Sequence, residues 1–176
     1  MIHLLAISGS LRRQSANTSL LQALALLAPA GLGVVLEPSL GELPPFNPDL
    51  IGAEPAAVLG FRERLRGASA VVLSCPEYAH GIAGVLKNAL DWAVGSGELS
   101  GKPVALYNAS PRATIAQESL AEVVRTMDAR LVTAAAVSLP LLGKGLSAGA
   151  IAASPEMAVA LRESLRVLRA AIDAAR

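Results

Sequence analysis

The sequence predicts a doubly wound α/β domain of three layers around a five-stranded parallel sheet, strand order 2-1-3-4-5. Three observations lead there. Short apolar runs alternate with amphipathic helical stretches along the 176 residues. The first, third and fourth runs are almost continuously apolar, as strands covered by helices on both faces must be. The hydroxyl-rich and Pro/Gly-rich loops follow the first and third runs, where such a sheet has its topological switch point.

The elements follow in order. Ile2–Ile7 reads as the first buried strand, and Thr18–Ala28 as a Leu/Ala-rich helix stopped by Pro29. Gly31 and Gly33 make the turn into the second strand, Leu32–Leu36. The Pro-rich stretch from Pro38 to Pro48 is too long for a tight connection, and its length suggests a functional loop. Ala56–Arg66 is helical, with Val58, Phe61 and Leu65 on one side and Arg62, Glu63 and Arg66 facing solvent. Ala70–Ser74 is the third strand, Val85–Val94 a helix and Val104–Asn108 the fourth strand. Ile115–Met127 is a helix and Leu131–Val137 the fifth strand. Pro155–Ala174 is the last helix, with proline in its first turn where a missing N–H costs little. Five βα units and right-handed crossovers give the doubly wound sheet, and residues 1–176 read as one domain.

Composition narrows the function classes. Apolar residues make up 53% and charged residues 16% of the chain, the reverse of a disordered protein. The net charge is +1 and no basic run exceeds Arg12-Arg13, so no nucleic-acid-binding stripe is present. A single cysteine, Cys75, excludes an internal disulfide and fits a reducing compartment. The opening residues carry no basic leader, and the apolar stretch Ala23–Leu36 is broken by Pro29, Gly31 and Gly33. The expectation is a cytoplasmic protein with no membrane or nucleic-acid partner.

Ser8-Gly9-Ser10-Leu11-Arg12-Arg13-Gln14-Ser15-Ala16-Asn17-Thr18 joins the first strand to the first helix. Free N–H groups of a first helical turn, with the helix dipole, attract an anion. Ser10, Ser15, Asn17 and Thr18 add side-chain donors, Arg12 or Arg13 adds charge, and Gly9 allows close backbone approach. Ser15, Asn17 and Thr18 are also good helix caps, so singly they could serve the helix alone. No G-x-x-x-x-G-K-[ST] or strand-borne G-x-G-x-x-G occurs.

The second loop runs from Pro76 into Glu77-Tyr78-Ala79-His80-Gly81-Ile82-Ala83-Gly84 and then into a helix ending near Trp92. It holds two of the five aromatic residues in the chain. Tyr78 can wall a flat, partly polar ring, and Pro76, Gly81 and Gly84 let backbone lie against its edge. Trp92 has the spacing of a core or subunit-contact residue. Lys87, Asn88 and Asp91 can cap and pair locally, Cys75 is a buried strand end, and His80 divides between ring contact and solvated loop.

The two stretches together resemble the NADPH-dependent FMN reductase family, whose fold is flavodoxin-like. The family's G-S-x-R-x-x-S-x-N is complete at Gly9, Ser10, Arg12, Ser15 and Asn17. Its P-E-Y…L-K-N-A-x-D-W matches at Pro76, Glu77, Tyr78, Leu86, Lys87, Asn88, Ala89, Asp91 and Trp92. Two departures are Ala83, where proline is usual, and Ala79, where asparagine is common; the first predicts a looser loop and the second the loss of a polar contact. Gly101–Val104 and Asn108–Arg112 are similar to the loop flanking the ring's pyrimidine end. The likeness spans most of residues 3–140.

The resemblance implies FMN as cofactor, with Ser10, Arg12, Ser15, Ala16 and Asn17 at its phosphate. Pro76, Glu77 and Tyr78 then line the ring, mainly through backbone, with His80, Gly81 and Ser110 as weaker carry-overs. It implies a ping-pong oxidoreductase in which NAD(P)H delivers a hydride and a small acceptor (quinone, flavin, azo compound or metal oxyanion) removes the electrons. The cofactor carries the chemistry, so no acid–base pair or metal is required and no residue is assigned a catalytic role. Relatives imply a homodimer or homotetramer. An FMN-binding electron carrier without NAD(P)H activity is the alternative, against which near-neutral charge and Arg12 argue. A hydrolase or a binding domain for a phosphorylated ligand leaves Tyr78 and the second motif unexplained.

Overall fold

A computed structural model describes residues 2–38 and 40–175. The central sheet is built from β1 (Ile2–Ser8), β2 (Leu32–Leu36), β3 (Ala70–Ser74) and β6 (Pro103–Asn108), with two short pieces, β7 (Arg130–Leu131) and β8 (Val137–Ser138). All pairings within it are parallel, and the order is β2-β1-β3-β6-β7, with β8 also pairing β6. β3 and β6 are buried along their whole lengths, whereas β1 exposes only His3. That is why those runs lack the alternation of a half-exposed sheet.

Helices cover both faces. α1 (Ala16–Leu26), α5 (Ala148–Ala153) and α6 (Pro155–Asp173) bury one face through Leu20, Leu24, Ile151, Leu161 and Leu168. α2 (Ala56–Gly67), α3 (Gly84–Val94) and α4 (Ile115–Thr126) bury the other through Phe61, Leu65, Leu86, Leu90 and Leu120. None of these helices is long and apolar enough to cross a membrane.

The register brings the strand ends level. Ser8 pairs with Ser74 and Ser74 with Tyr107, so the chain leaves β1, β3 and β6 at nearly one height. The three following loops therefore converge at the switch point between β1 and β3.

The expected fifth strand, Leu131–Val137, is not continuous. A 3₁₀ turn at Thr133–Ala135 lifts the chain off β6 between β7 and β8. The Ala134–Ala136 run has small side chains with little preference for a pleated edge. Instead Ala135 is buried under α6, and its carbonyl accepts from Ser164 Oγ (2.5 Å), which in turn accepts from the buried Tyr107 hydroxyl (2.7 Å). α5 was not expected, nor was the hairpin of β4 (Glu77–Tyr78) and β5 (Gly81–Ile82).

The Pro38–Pro48 stretch, of which Ser39 lies outside the described residues, is a strap pinned to α3. Asn88 Oδ1 accepts from the Phe46 N–H (2.7 Å), and its amide donates to Pro44 O (3.0 Å). Trp92 Nε1 donates to the same carbonyl (2.8 Å), with the Phe46 ring edge-on to the indole at 5.1 Å. Asn88 thus holds chain more than forty residues away instead of pairing locally, and Trp92 is core. Lys87 and Asp91 do pair locally, at 2.6 Å.

Arg62, expected to face solvent, is instead largely covered, bonding Glu98 Oε1 at 2.9 Å and Glu54 at 2.6 Å, whereas Arg66 is exposed as expected and reaches Glu98 Oε1 at 3.0 Å from the surface. The Glu98 side chain is almost fully enclosed. Burial pushes its pKa up, but hydrogen bonds from Ser96 and Arg62 outweigh it and hold the carboxyl below its usual range. A lowered native pKa stabilises the fold above the unfolded value and loses that contribution as pH falls through the native one. Glu98→Gln should therefore cost about 3 kcal/mol at neutral pH, the usual result of leaving one partner of an enclosed pair. Its deficit in urea unfolding should shrink as pH is lowered below about 4, the ordinary glutamate range; a deficit independent of pH would remove the ion pair as its cause.

The hairpin turn is strained. Ala79 and His80 have φ of 49° and 58°, the left-handed region that a two-residue hairpin of this type demands at both positions. Alanine there costs roughly 1–2 kcal/mol, whereas asparagine tolerates it. Ala79→Asn should raise Tm by roughly 2–4 °C, a gain of about 1 kcal/mol in a chain of this length. An unchanged or lower Tm would show the turn to be relaxed.

Candidate functional site

The loops after β1, β3 and β6 enclose a cavity of about 390 Å³. Its lining includes Ser10, Arg12, Ser15, Ala16, Asn17, Pro76, Glu77, Tyr78 and Ser110, all residues expected at the site.

The β1 loop is shaped by its own hydroxyls. Ser8 Oγ lies 2.8 Å from Thr18 Oγ1 and accepts from the Ser10 N–H (3.3 Å), which folds the loop back over the helix start. Ser15 is the N-cap of α1 and accepts from the Thr18 N–H (3.3 Å). Capping therefore consumes one of the orphan donors of the first turn and leaves the Ala16 and Asn17 N–H groups beside the cavity. Asn17 is buried and accepts from Ser74 Oγ (2.8 Å), so β3 fixes its side chain. Its NH2 group has no protein partner among the described residues. Arg12 is exposed, without an ion pair among the described residues. Arg13 is exposed outside the lining, and Thr18 is occupied by Ser8.

Gly9 does not open the loop toward a ligand. A Cβ there would stand 3.2 Å from Leu86 Cβ and 3.3 Å from Pro76 Cδ, so its missing side chain lets β1 approach α3 and the second loop.

The β4–β5 hairpin supplies the second wall. Tyr78 borders the cavity at 58% exposure. Glu77 uses its side chain structurally: Oε2 accepts from the Ala116 N–H at the start of α4 (2.9 Å), where Thr114 provides no cap, and Oε1 lies 3.3 Å from His80 Nδ1. His80 and Gly81 lie outside the lining, because the tight turn sends the return strand toward α4. Among the described residues Glu77 is the cavity's sole carboxylate.

Cys75 and Ala83 explain each other. The Cys75 thiol donates to Pro76 O (3.1 Å) and accepts from the Ala83 N–H (3.3 Å). Burial pushes its pKa up, so it stays protonated and inert at neutral pH. Ala83 is buried at the N-cap of α3 with φ −54°, a value proline also adopts. It adds an N–H donor that proline lacks.

The third wall is a turn that sequence reasoning located but populated only with Ser110. Gln14, Cys75, Asn108, Ala109, Arg112, Ala113 and Leu142 complete the lining. Asn108 Oδ1 accepts from the Ser110 N–H (2.8 Å), and its amide donates to Ala113 O (3.0 Å). Asparagine after a strand and before Ser-Pro is a turn signal that could have pointed to this role. Leu142 reaches the cavity because the chain after β8 returns to Ala109 O through the Leu141 and Leu142 N–H groups, a long-range contact with no local signal. Among the described residues no group of three His, Cys, Asp or Glu side chains is arranged to hold a metal.

Known proteins are similar to this chain in sequence and fold. An NAD(P)H-dependent FMN reductase of Pseudomonas aeruginosa is 45% identical over 112 residues, covering 62% of this chain and 60% of that protein. The chain thus spans about three-fifths of that relative's length. A 2-hydroxy-1,4-benzoquinone reductase of a Burkholderia species is 37% identical over 128 residues, covering 69% of each. The solved structure of FerB, a flavoenzyme NAD(P)H:(acceptor) oxidoreductase from Paracoccus denitrificans, superposes with a TM-score of 0.77 at 29% identity, covering 98% of this chain and 96% of that one. The fold is flavodoxin-like, and with the family model for NADPH-dependent FMN reductase matching residues 2–142, the chain belongs to that family.

Proposed function

We propose that this protein is an FMN-dependent NAD(P)H oxidoreductase that passes electrons to a small acceptor, with quinones the leading class. One observation carries the reading: an anion-binding helix start and a flat-walled recess share one cavity at the switch point.

The donor set fits a phosphate monoester. The Ala16 and Asn17 N–H groups, the Asn17 amide, the Ser10 and Ser15 hydroxyls and Arg12 surround one end, and the helix dipole adds to their attraction. The other end fits a ring system: Pro76 and Tyr78 offer apolar surface, and the Ser110–Ala113 turn offers backbone groups. FMN held there would supply the two-electron chemistry.

The chain's own residues bind, orient and exclude water. Glu77 locks the hairpin that carries Tyr78 onto α4, and Asn108 locks the facing turn. Residues 1–176 serve as one FMN-binding domain, which we assign to the cytoplasm. We also infer a homodimer or homotetramer: Leu11, Tyr78, Ile115 and Leu142 are all large, apolar and exposed beside the three loops, a surface that a second copy would cover.

Reconstitution with FMN followed by anaerobic NADPH tests the activity. The holoprotein should be yellow and bleach; a yellow protein that stays oxidised would make it an electron carrier, and a protein that takes up no FMN would sink both. Light scattering on the same preparation reads the assembly, and a monomer would reject the oligomer. Arg12→Ala should weaken FMN by roughly 1.5–3 kcal/mol, the worth of a hydrogen bond to a charged group. Unchanged affinity would show that the phosphate is held without Arg12.

A further inference from the structure

The cavity carries a second cation that the phosphate end does not use. Arg112 lines it from the β6 loop, while Arg12 lines it from the β1 loop. β3 lies between those strands. Their ends are therefore about 9–10 Å apart, two strand spacings.

Arg112 sits on a rigid mount. Ser110-Pro111-Arg112-Ala113 is a β-turn closed by the Ala113 N–H to Ser110 O bond (2.8 Å), with proline at the position where its fixed φ is favoured. Asn108 clamps both limbs of that turn through its side chain. The backbone is thus fully determined without Arg112's side chain. The guanidinium is exposed and makes no hydrogen bond or ion pair among the described residues. The one carboxylate in the lining, Glu77, is committed to Ala116 and His80.

Several other arginines of this chain are held differently, although Arg13 and Arg162, both outside this cavity, also make no ion pair among the described residues. Arg62, Arg66, Arg166 and Arg169 all pair with carboxylates. An arginine on a braced turn, lining a cavity and left without an anion among the described residues, matches a ligand that arrives with one.

We infer that Arg112 is the anion grip for the second substrate, taking a phosphate, sulfonate or carboxylate group of the molecule that stacks against the ring end. This rests on the proposed function, which places FMN's own phosphate at Arg12. Arg112 then favours anionic partners over neutral ones of the same ring shape. The anion can belong to the dinucleotide or to an anionic acceptor; the chemistry at Arg112 is the same.

The test uses FMN-loaded wild-type, Arg112→Ala and Arg112→Lys proteins. Calorimetric titration with NADP+ and NAD+ reads binding without turnover, at low and high salt. Steady-state KM for a sulfonated naphthoquinone and for its neutral parent reads the acceptor, and FMN affinity is measured in parallel. Arg112→Ala should lose about tenfold or more in affinity for an anionic partner, the equivalent of one charged hydrogen bond, and should flatten its salt dependence. Lysine should restore part of the loss, with FMN affinity unmoved. Loss with NADP+ and NAD+ alike assigns the grip to the pyrophosphate, and loss with NADP+ alone to the 2′-phosphate. Loss with the sulfonated quinone alone assigns it to the acceptor. FMN weakened as in Arg12→Ala, or no anion affected, overturns the inference while leaving the proposed function intact. A wild-type protein that takes up no FMN removes both.

Discussion

The buried hydrogen bond from Ser74 Oγ to Asn17 Oδ1 is the constraint on which the site depends. It joins the last residue of β3 to the first turn of α1, across the point where the strand order reverses. The register pairing Ser8 with Ser74 sets the height of that junction, and the Gly9 N–H to Ser74 O bond closes it. Both Ser74 and Asn17 are nearly inaccessible, so the bond forms where an unmade one is costly. It fixes the helix start and so the direction in which the free N–H groups face.

Around that junction the polar side chains divide by role. Ser8, Ser15, Thr18, Glu77, Asn88 and Asn108 spend their hydrogen bonds on backbone or on each other, and hold loops in place. The guanidiniums of Arg12 and Arg112 and the amide NH2 of Asn17 spend nothing on the fold. A site built this way is preorganised: ligands meet donors whose mounts are already ordered, so little further entropy is lost on binding. The strained Ala79-His80 turn fits the same pattern, since it aims the Tyr78 strand at the cavity at a cost the surrounding packing absorbs.

Charge follows a similar division. Glu98, bridged by Arg62 and Arg66, and Glu37, bound by two nitrogens of Arg64 at 2.7 and 2.8 Å, knit α2 to its neighbours. Lys102 donates to the carbonyls of Leu65, Arg66 and Ala68, closing the C-terminal end of α2, where a cation is favoured. These pairs lie on the α2 side of the molecule.

The amino-acid sequence determined the sheet order, because continuous apolar runs and right-handed crossovers admit few arrangements. It also located the hydroxyl-rich loop that lines the cavity, because hydroxyls ahead of a helix are a local signal. It could not separate residues that face a ligand from residues that brace a loop. Serine, asparagine and glutamate do both, and the choice is made by partners far along the chain: Ala116 for Glu77, Ser74 for Asn17, Phe46 for Asn88. The break between β7 and β8 was equally hidden, since it rests on Ser164 of α6 reaching Ala135. Only the tertiary structure, through those long-range contacts, decided that Gly9 serves helix packing, that the proline-rich strap is scaffold, and that Arg112 lines the cavity without a protein partner among the described residues.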